Sequence, residues 1–299
     1  MDSSVTSHLL SDESELTHLR ALLKRVPRPG VVDFEEHMAV PAIRAMTRLW
    51  QTGDELIAFA YVDAFNNLWF EFLPEQQSDQ LEFEIIEWGV TCMRQRHAGA
   101  EELPTLDATC NADNAARVEI LERHGFVREA VRTLKYERSL TGPVPDAPLP
   151  AGFSLRSTAG EREVDALAAL HRAAFGTDNM TAEARLAIIH APNYIPELDL
   201  LAVAPDRDLA AFCICGFEEE QTKIGYTDPI GVHPRYRRLG LGKAIVTAGL
   251  RAIRDKGATA ARLGTSSENM PMQKLAEELS FVCMAEHVWF SKVIPAKEH

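Results

Sequence analysis

The sequence predicts an α/β (α+β) fold made of two similar domains, each a mixed, mainly antiparallel sheet flanked by helices. Two observations support this prediction. Short apolar runs typical of strands alternate with segments whose apolar residues recur at helical spacing. The order of these segments in the first half is repeated in the second, and 299 residues are enough for two cores.

In the first half, two apolar runs predict a hairpin, and a helix follows it. The runs are LIAFAYVDAF and LWFEFLP, and the second ends at Pro74. A helix is expected over about residues 79–97, then a strand at LDATC. A second helix at NAARVEILERHGF and a strand around VRTLKYERSL complete this half.

In the second half, three apolar runs predict an antiparallel meander. They are LDLLAVAP, LAAFCICGF and GYTDPIGVHP, and the last ends before Pro234. A helix is expected from about Leu241 to Lys256, because Gly257 is a typical helix stop. A strand at TAARLGTS, a helix at NMPMQKLAEELSF and one or two closing strands in VCMAEHVWFSKVI follow.

A proline- and glycine-rich segment separates the halves. The stretch around 139–150 shows little helical or strand pattern, which suits an interdomain linker. We therefore expect a first domain over 1–140, a linker over 141–150 and a second domain over 151–299.

The two halves also share an internal spacing. Asn114 precedes Phe126 by the same interval that separates Asn269 from Phe281, and Val follows each Phe. Together with the matching order of elements, this spacing indicates an internal duplication.

Composition excludes several function classes. A net charge of −13 disfavours nucleic-acid binding, which needs a basic surface. No apolar run approaches eighteen residues, and the polar start does not resemble a signal peptide, so no membrane span is expected. Five cysteines without a CxxC pair favour reduced thiols in a cytoplasmic protein, with no bound metal.

The segment VHPRYRRLGLGK, residues 232–243, lies between a predicted strand and a predicted helix. Gly240 and Gly242 have no side chain to keep a ligand away from the backbone. The first N–H groups of a helix are unpaired, and its dipole adds partial positive charge there. The loop also carries four basic residues, Arg235, Arg237, Arg238 and Lys243. This pattern predicts an anion site that suits a pyrophosphate.

The loop resembles the R/Q-x-x-G-x-G/A loop of the GNAT (general N-acetyltransferase) superfamily, with Arg237, Gly240 and Gly242 at its defining positions. The resemblance implies two GNAT-like domains, of which the second binds acetyl-CoA as a co-substrate. It also implies that the pantetheine arm contacts the backbone of Ile230, Gly231 and Val232. The other implied cofactor-binding residues are Arg237, Arg238, Leu239, Gly240, Leu241, Gly242, Lys243 and Asn269, the asparagine that opens the next family motif.

The first half departs from this pattern. Aligned on Pro74, Gln77 could replace the arginine, but Gln80 and Glu82 stand where the glycines should be. A carboxylate would repel a pyrophosphate, and a Cβ atom would block its approach. We therefore predict that the first copy does not bind acetyl-CoA normally and has a structural or substrate-shaping role.

Acyl transfer to an amine requires a base, because the amine must lose a proton. GNAT enzymes often place a glutamate on the strand before the loop, where this sequence has Tyr226 and Asp228. The two side chains share a face if the strand is regular. Asp228 is the preferred catalytic base, acting directly or through water, although it could instead form the turn before Pro229.

The tyrosine that many GNAT enzymes use to protonate the leaving thiolate is absent. Ala276 stands at its position, and Ser280 replaces the family's next glycine. A thiol pKa of about 8.5 allows the thiolate to leave without an acid. Ser266, Ser267 and His287 could substitute, or they could be ordinary strand and loop residues.

The leading functional hypothesis is an acetyl-CoA-dependent N-acetyltransferase. It would act on a small-molecule or peptide amine by direct transfer in a ternary complex, with Tyr194 as a substrate contact. The alternative is a CoA-binding regulatory or scaffold protein with impaired catalysis. A third possibility is transfer of a longer acyl group or to a hydroxyl.

We expect a monomer. Five aromatic residues could line an acceptor pocket or belong to the core: Phe175, Phe212, Phe217, Trp289 and Phe290.

Overall fold

The computed structural model describes residues 4–27, 30–31, 34–100, 104–191, 193–218 and 223–295. The chain forms two compact units. Unit 1 contains Met1–Arg132 and Glu286–His299, and unit 2 contains Thr133–Ala285. The chain therefore passes from one unit to the other twice, each time within a strand. The chain from Thr133 packs in unit 2, and the chain from Glu286 packs in unit 1.

Unit 1 consists of a four-stranded antiparallel sheet, a further antiparallel strand pair and five helices among the described residues. Its elements are β1 (Val5–Leu9), α1 (Glu13–Arg25), α2 (Phe34–Ala39), α3 (Pro41–Ala45), β2 (Arg48–Thr52), β3 (Glu55–Val62), β4 (Leu68–Phe72), α4 (Asp79–Arg96), β5 (Leu106–Asn111), α5 (Ala115–Arg123), the start of β6 (Val127–Ser139) and the end of β12 (Val282–Lys292). The first sheet has the order β1-β2-β3-β4, and β5 pairs antiparallel with β12. The predicted hairpin, both predicted helices and the LDATC strand are confirmed.

Unit 2 contains six paired strands with helices on both faces. Its elements are the end of β6, β7 (Ser154–Ser157), α6 (Val164–Phe175), α7 (Ala182–Ile189), β8 (Asp199–Val203), β9 (Leu209–Glu218), β10 (Ile224–Val232), α8 (Leu241–Asp255), β11 (Ala260–Ser266), α9 (Met270–Glu278) and the start of β12. Among the residues described here, the order is β7-β8-β9-β10-β11-β6; β10 and β11 pair in parallel, and the other neighbours pair antiparallel. The predicted meander of β8, β9 and β10 is confirmed.

The residues of β9 alternate between two hydrophobic cores. Cys213 and Cys215 pack with the buried face of α8, whereas Phe212 packs with Leu167 and Leu170 of α6. This alternation follows from the two-residue period of a strand. It places α8 on one face of the sheet and α6 on the other.

The repeated asparagines begin equivalent helices. The Asn114 side chain accepts the N–H of Arg117 at 3.1 Å at the start of α5. The Asn269 side chain accepts the N–H of Met272 at 3.3 Å at the start of α9. The shared interval in the sequence therefore reflects a shared helix cap.

No helix in the described ranges combines the length and the apolar character that a membrane crossing requires.

Candidate functional site

The parallel pair β10–β11 separates partway along its length. Its register runs from Ile224 opposite Ala260 to Tyr226 opposite Arg262 and ends there, although β10 continues to Val232. A register shift against β9 lies between Thr227 and Ile230. Beyond Tyr226, β11 is therefore no longer the ladder partner of β10.

Asp228 lies at the point where the strands separate. Its Oδ2 atom accepts the N–H of Gly264 in β11 at 2.9 Å. Tyr226 and Asp228 were expected to share a face if β10 were a regular strand. The register shift makes β10 irregular at Asp228, so this expectation does not apply. The Asp228 carboxylate instead reaches toward β11, and Tyr226 lies opposite Gly216 of β9.

The loop before α8 contains two residues in the left-handed region. Arg238 has a φ of 63° and Gly240 a φ of 85°. A Cβ atom at Gly240 would meet nothing within 4 Å, so the backbone conformation, and not space, favours glycine there. Gly240 gives α8 no side-chain cap, and the helix begins at Leu241 with unpaired N–H groups. These left-handed residues and the helix N-terminus lie where the sequence predicts an anion site, and its binding of an anion stays a prediction.

Two basic residues of the loop are engaged in ion pairs. Arg235 lies 2.9 Å from Asp206 and 3.1 Å from Asp208 in the turn between β8 and β9. Lys243 lies 2.9 Å from Glu278 at the end of α9. These pairs fix the loop and α8 against their neighbours and partly neutralise the local positive charge.

The other two arginines differ in their availability. Arg237 donates to the carbonyl of Ala174 at the end of α6 (2.7 Å) and weakly to that of Val232 (3.4 Å). Its side chain therefore holds the loop against α6. Within the described part of the chain, the exposed Arg238 side chain makes no hydrogen bond or ion pair, so it is available to an anion.

Gly231 and Gly242 are small for different reasons. A Cβ atom on Gly231 would lie 2.3 Å from the Phe212 ring and 2.8 Å from the Cβ of Ala174. Gly231 is therefore required by packing between β10 and α6. A Cβ atom on Gly242 would make only ordinary contacts, at 3.5 Å or more, so this position has room for alanine, as in the G/A of the motif.

The position of the missing tyrosine lies in the helix after β11. Ala276 is fully buried in the unit 2 core, where a tyrosine ring would need new space. Ser280 has a φ of 62°, the left-handed conformation in which the family's glycine is favoured. Among the substitutes considered for the acid, Ser266 belongs to unit 2, whereas His287 lies on the part of β12 that packs in unit 1.

Tyr194 takes part in a buried polar cluster. Its hydroxyl donates to Oδ2 of Asp199 at 2.7 Å, and Asp199 also forms a buried ion pair with Arg185 of α7. Burial raises the pKa of Tyr194 to about 12, and the hydrogen bond to Asp199 adds to the shift. Its hydroxyl is thus occupied within unit 2, and its role as a substrate contact stays a prediction.

The sequence indicates no function for His171, which lies in α6. The centre of its ring lies 4.6 Å from that of Phe175 and 5.4 Å from that of Phe212. Burial, assisted by the charge of Arg185, lowers the pKa of His171. Its Nδ1 atom is buried and has no hydrogen-bond partner in the ranges the structure covers.

The remaining aromatic residues are divided between the units. Phe175 is exposed on α6, whereas Phe217 packs against the unit 2 core. Trp289 and Phe290 belong to unit 1, and Phe290 is fully buried in its core. Across the described ranges, no group of three His, Cys, Asp or Glu side chains could hold a metal ion.

The corresponding loop of unit 1 has a different structure. α4 begins at Asp79, two residues earlier relative to its proline than α8. Ser78 caps α4 by accepting the N–H of Leu81 at 3.2 Å. Gln80, which aligns with Gly240, therefore lies within the helix, and no left-handed loop remains.

A mixed sheet whose parallel pair separates just before a left-handed loop and a helix N-terminus defines the GNAT class of fold. Residues 164–281 match the family described as Acetyltransferase (GNAT) family. This match lies in the second half of the chain and covers less than half of its length.

Curated relatives include mycothiol acetyltransferases. That of Paenarthrobacter aurescens is 31% identical over 193 residues, covering 62% of this chain and 59% of the relative. That of Salinispora tropica is 34% identical over 158 residues, covering 50% of this chain and 52% of the relative. The chain thus spans less than two thirds of the length of these relatives. The tandem layout in the sequence is itself similar to that of mycothiol synthase.

Solved structures share the fold along the whole chain. A GCN5-related N-acetyltransferase from Sphaerobacter thermophilus has a TM-score of 0.78 at 18% identity and covers 100% of this chain and 98% of its own. A tandem GNAT protein from the clavulanic acid biosynthesis pathway has a TM-score of 0.74 at 14% identity, with 99% of each chain covered. At these identities the likeness shows the fold alone, and it confirms the prediction of two GNAT-like domains.

Proposed function

We propose that unit 2 binds acetyl-CoA between β10 and β11 and transfers the acetyl group to an amine in a ternary complex. One observation carries this proposal: β10 and β11 separate beyond Tyr226, directly before a left-handed loop and the N-terminus of α8. A cofactor with amide groups at one end and a pyrophosphate at the other is complementary to this arrangement.

The cofactor would contact mainly the backbone. The amides of pantetheine would pair with Ile230, Gly231 and Val232, whose strand has lost its β11 partner. The pyrophosphate would accept N–H groups from the loop at 237–243, with Arg238 as the available cation. Asn269 would contribute its amide nitrogen, since its oxygen caps α9.

Asp228 would act as the base, directly or through water, beside Tyr226. The amine nitrogen attacks the thioester carbonyl carbon while its proton passes to the carboxylate. The N–H near Val232 would stabilise the oxyanion. When the tetrahedral intermediate collapses, the C–S bond breaks and CoA leaves as a thiolate. A thiol pKa of about 8.5 makes this step feasible with Ala276 in place of the tyrosine.

The acceptor would enter from the α6 and α7 face, where Phe212 lies between Gly231 and the ring of His171. Tyr194 would contribute its ring, since its hydroxyl is bonded to Asp199. Because the curated relatives are named mycothiol acetyltransferases, the acceptor of those enzymes is the first amine to test.

A second candidate function is a CoA-binding regulatory or scaffold protein with impaired catalysis. The buried Ala276 favours it, because the position that usually supplies the acid is closed off in the core. Binding is expected under both hypotheses, so only turnover separates them.

The test is CoA binding by calorimetry together with thiol release from acetyl-CoA against a panel of acceptors. The panel contains the acceptor of mycothiol acetyltransferases, glucosamine, a peptide amine and a simple alkyl amine. We expect binding and acceptor-dependent thiol release. Binding without turnover on any acceptor would support the second candidate, and absence of binding would contradict both.

A further inference from the structure

Unit 1 has a charged pair at two positions where unit 2 has small or apolar residues. Counted from the two prolines, Glu71 at the end of β4 matches Gly231. Counted from the two capping asparagines, Arg117 in the first turn of α5 matches Met272. Unit 1 thus carries a carboxylate and a guanidinium where unit 2 has a glycine and a methionine.

This charged pair is buried and fully engaged. The fully buried side chain of Glu71 accepts the Nη2–H of Arg117 at 2.6 Å and also the N–H groups of Gly30 and Val31. The Arg117 side chain is only 11% exposed, so the pair is almost closed to water. Such a pair is held firmly, because removing one charge leaves the other uncompensated in the interior.

Arg117 also occupies the backbone of β4. Its Nη1 atom donates to the carbonyl of Phe70 at 3.1 Å. Its guanidinium lies 4.0 Å from the centre of the Phe70 ring and 5.3 Å from that of Phe72. Phe70 and Phe72 match Ile230 and Val232 of unit 2, the residues proposed to bind pantetheine.

A carboxylate occupies the anion position of unit 1 as well. Glu82, which matches Gly242, is buried in the first turn of α4 and is bonded to Gln77 (2.8 Å), Arg123 and His124 (3.4 Å). Burial opposes its ionisation, but these hydrogen bonds outweigh it and lower the pKa of Glu82. Its negative charge at the helix N-terminus is therefore stable at neutral pH, where a pyrophosphate would otherwise bind.

We propose that unit 1 is closed to the cofactor by its own side chains. The Arg117–Glu71 pair stands in the place of pantetheine, and Glu82 stands in the place of the pyrophosphate. This inference rests on the proposed function, because unit 2 defines where the cofactor lies. It follows that the full chain binds one equivalent of CoA.

The test uses the full chain saturated with CoA, so that unit 2 is occupied, and titrates pantetheine as the probe. Pantetheine is chosen because α4 leaves no loop for a pyrophosphate. The E71G/R117M variant introduces the residues of unit 2 at the matching positions. We expect it to bind pantetheine at least tenfold more tightly than the wild-type chain. Arg132→Met, which breaks an exposed ion pair of unit 1, is the control and should behave as wild type.

Circular dichroism checks that each variant is folded. If E71G/R117M does not fold, it is replaced by E71Q/R117M, which keeps the side-chain volume at position 71. Folded variants that bind pantetheine no better than wild type, or a wild-type chain that binds two equivalents of CoA, would overturn the inference. Failure of the proposed function looks different. In that case CoA does not bind at all, or it binds equally well to a Gly240→Val variant.

Discussion

Unit 1 and unit 2 repeat the same strand, loop and helix, yet they treat the end of the strand in opposite ways. In unit 2 the pairing of β10 with β11 ends at Tyr226, and Gly240 adopts a left-handed conformation in the loop before α8. In unit 1 the guanidinium of Arg117 bonds the equivalent strand, and α4 begins early enough to absorb the loop. A duplicated fold can therefore keep its helix caps and strand order while a few side chains determine whether a ligand can enter.

The two units also differ at the residue proposed as the base. Counted back from the two prolines, the residue of unit 1 that matches Asp228 is Leu68, which is buried. Unit 1 thus lacks both the open strand and the carboxylate that the proposed mechanism requires. Each difference can be tested by changing one unit and using the matching position in the other as a control.

The largest effect is expected for Asp228→Asn. Loss of the base should lower kcat by about 10²–10⁴-fold. Asparagine is close to aspartate in size and can still accept the Gly264 N–H, so the separated strands should keep their geometry. The measurement is thiol release from acetyl-CoA with a saturating acceptor, combined with CoA binding. A drop of less than tenfold would exclude Asp228 as an essential base, and weakened CoA binding would point to a structural role.

Gly240→Val is expected to have the next largest effect, on CoA affinity. A β-branched residue in a left-handed conformation costs about 1–3 kcal/mol, which corresponds to roughly 5–150-fold in Kd if the loop must keep its shape to bind. The matched control is Gln80→Val, which lies in the first turn of α4 and should leave the Kd unchanged. Calorimetric titration of both variants with CoA provides the measurement. Equal Kd values for the two would contradict the assignment of the cofactor to unit 2.

The sequence predicted the local features because local patterns determine them. The loop glycines, the two capping asparagines and the helix at Leu241 follow from backbone conformation and helical spacing. Strand partners were harder to predict, because pairing joins distant segments. The runs that form the ends of β6 and β12 are similar in apolar character, and nothing local indicates that Thr133 packs in unit 2 and Glu286 in unit 1.

The candidate site was predicted to a similar extent. The sequence motif identifies Arg237 as a loop residue, but its bond to Ala174 depends on where α6 ends in space. Likewise, Arg117 reads as an ordinary helix residue until the fold brings it beside Glu71. The register shift that turns Asp228 toward β11 is also a property of the sheet.

Gly231→Ala tests whether packing, as well as cofactor approach, requires glycine on β10. The new methyl group would clash with Phe212 and Ala174, so the free energy of unfolding should fall by about 1–3 kcal/mol. Urea denaturation gives this value. Gly242→Ala is the control on the other side of the loop, where a Cβ atom would make only ordinary van der Waals contacts. A loss of stability for Gly242→Ala as large as that for Gly231→Ala would contradict the packing argument.

The smallest effects are expected on the free energy of unfolding, when either of two ion pairs between equivalent helices is removed. In unit 1 Arg123 bonds the buried Glu82, whereas in unit 2 Lys243 pairs with the exposed Glu278. Lys243→Met should change the free energy of unfolding by only about 0–1 kcal/mol, because both groups are solvated. Arg123→Met should lower it more, since the Glu82 carboxylate keeps its burial and loses a charged donor.

The two variants should also differ in their pH dependence. The folded-state pKa of Glu82 lies below its ordinary value of 4.5, so its ionised form stabilises the fold above that pH. This contribution is lost as the pH falls through the lowered pKa, and the deficit of Arg123→Met should shrink with it. Thermal unfolding from pH 7 to pH 3 measures the difference. A deficit that stays constant over that range would mean that Arg123 stabilises unit 1 by packing and not through the charge of Glu82.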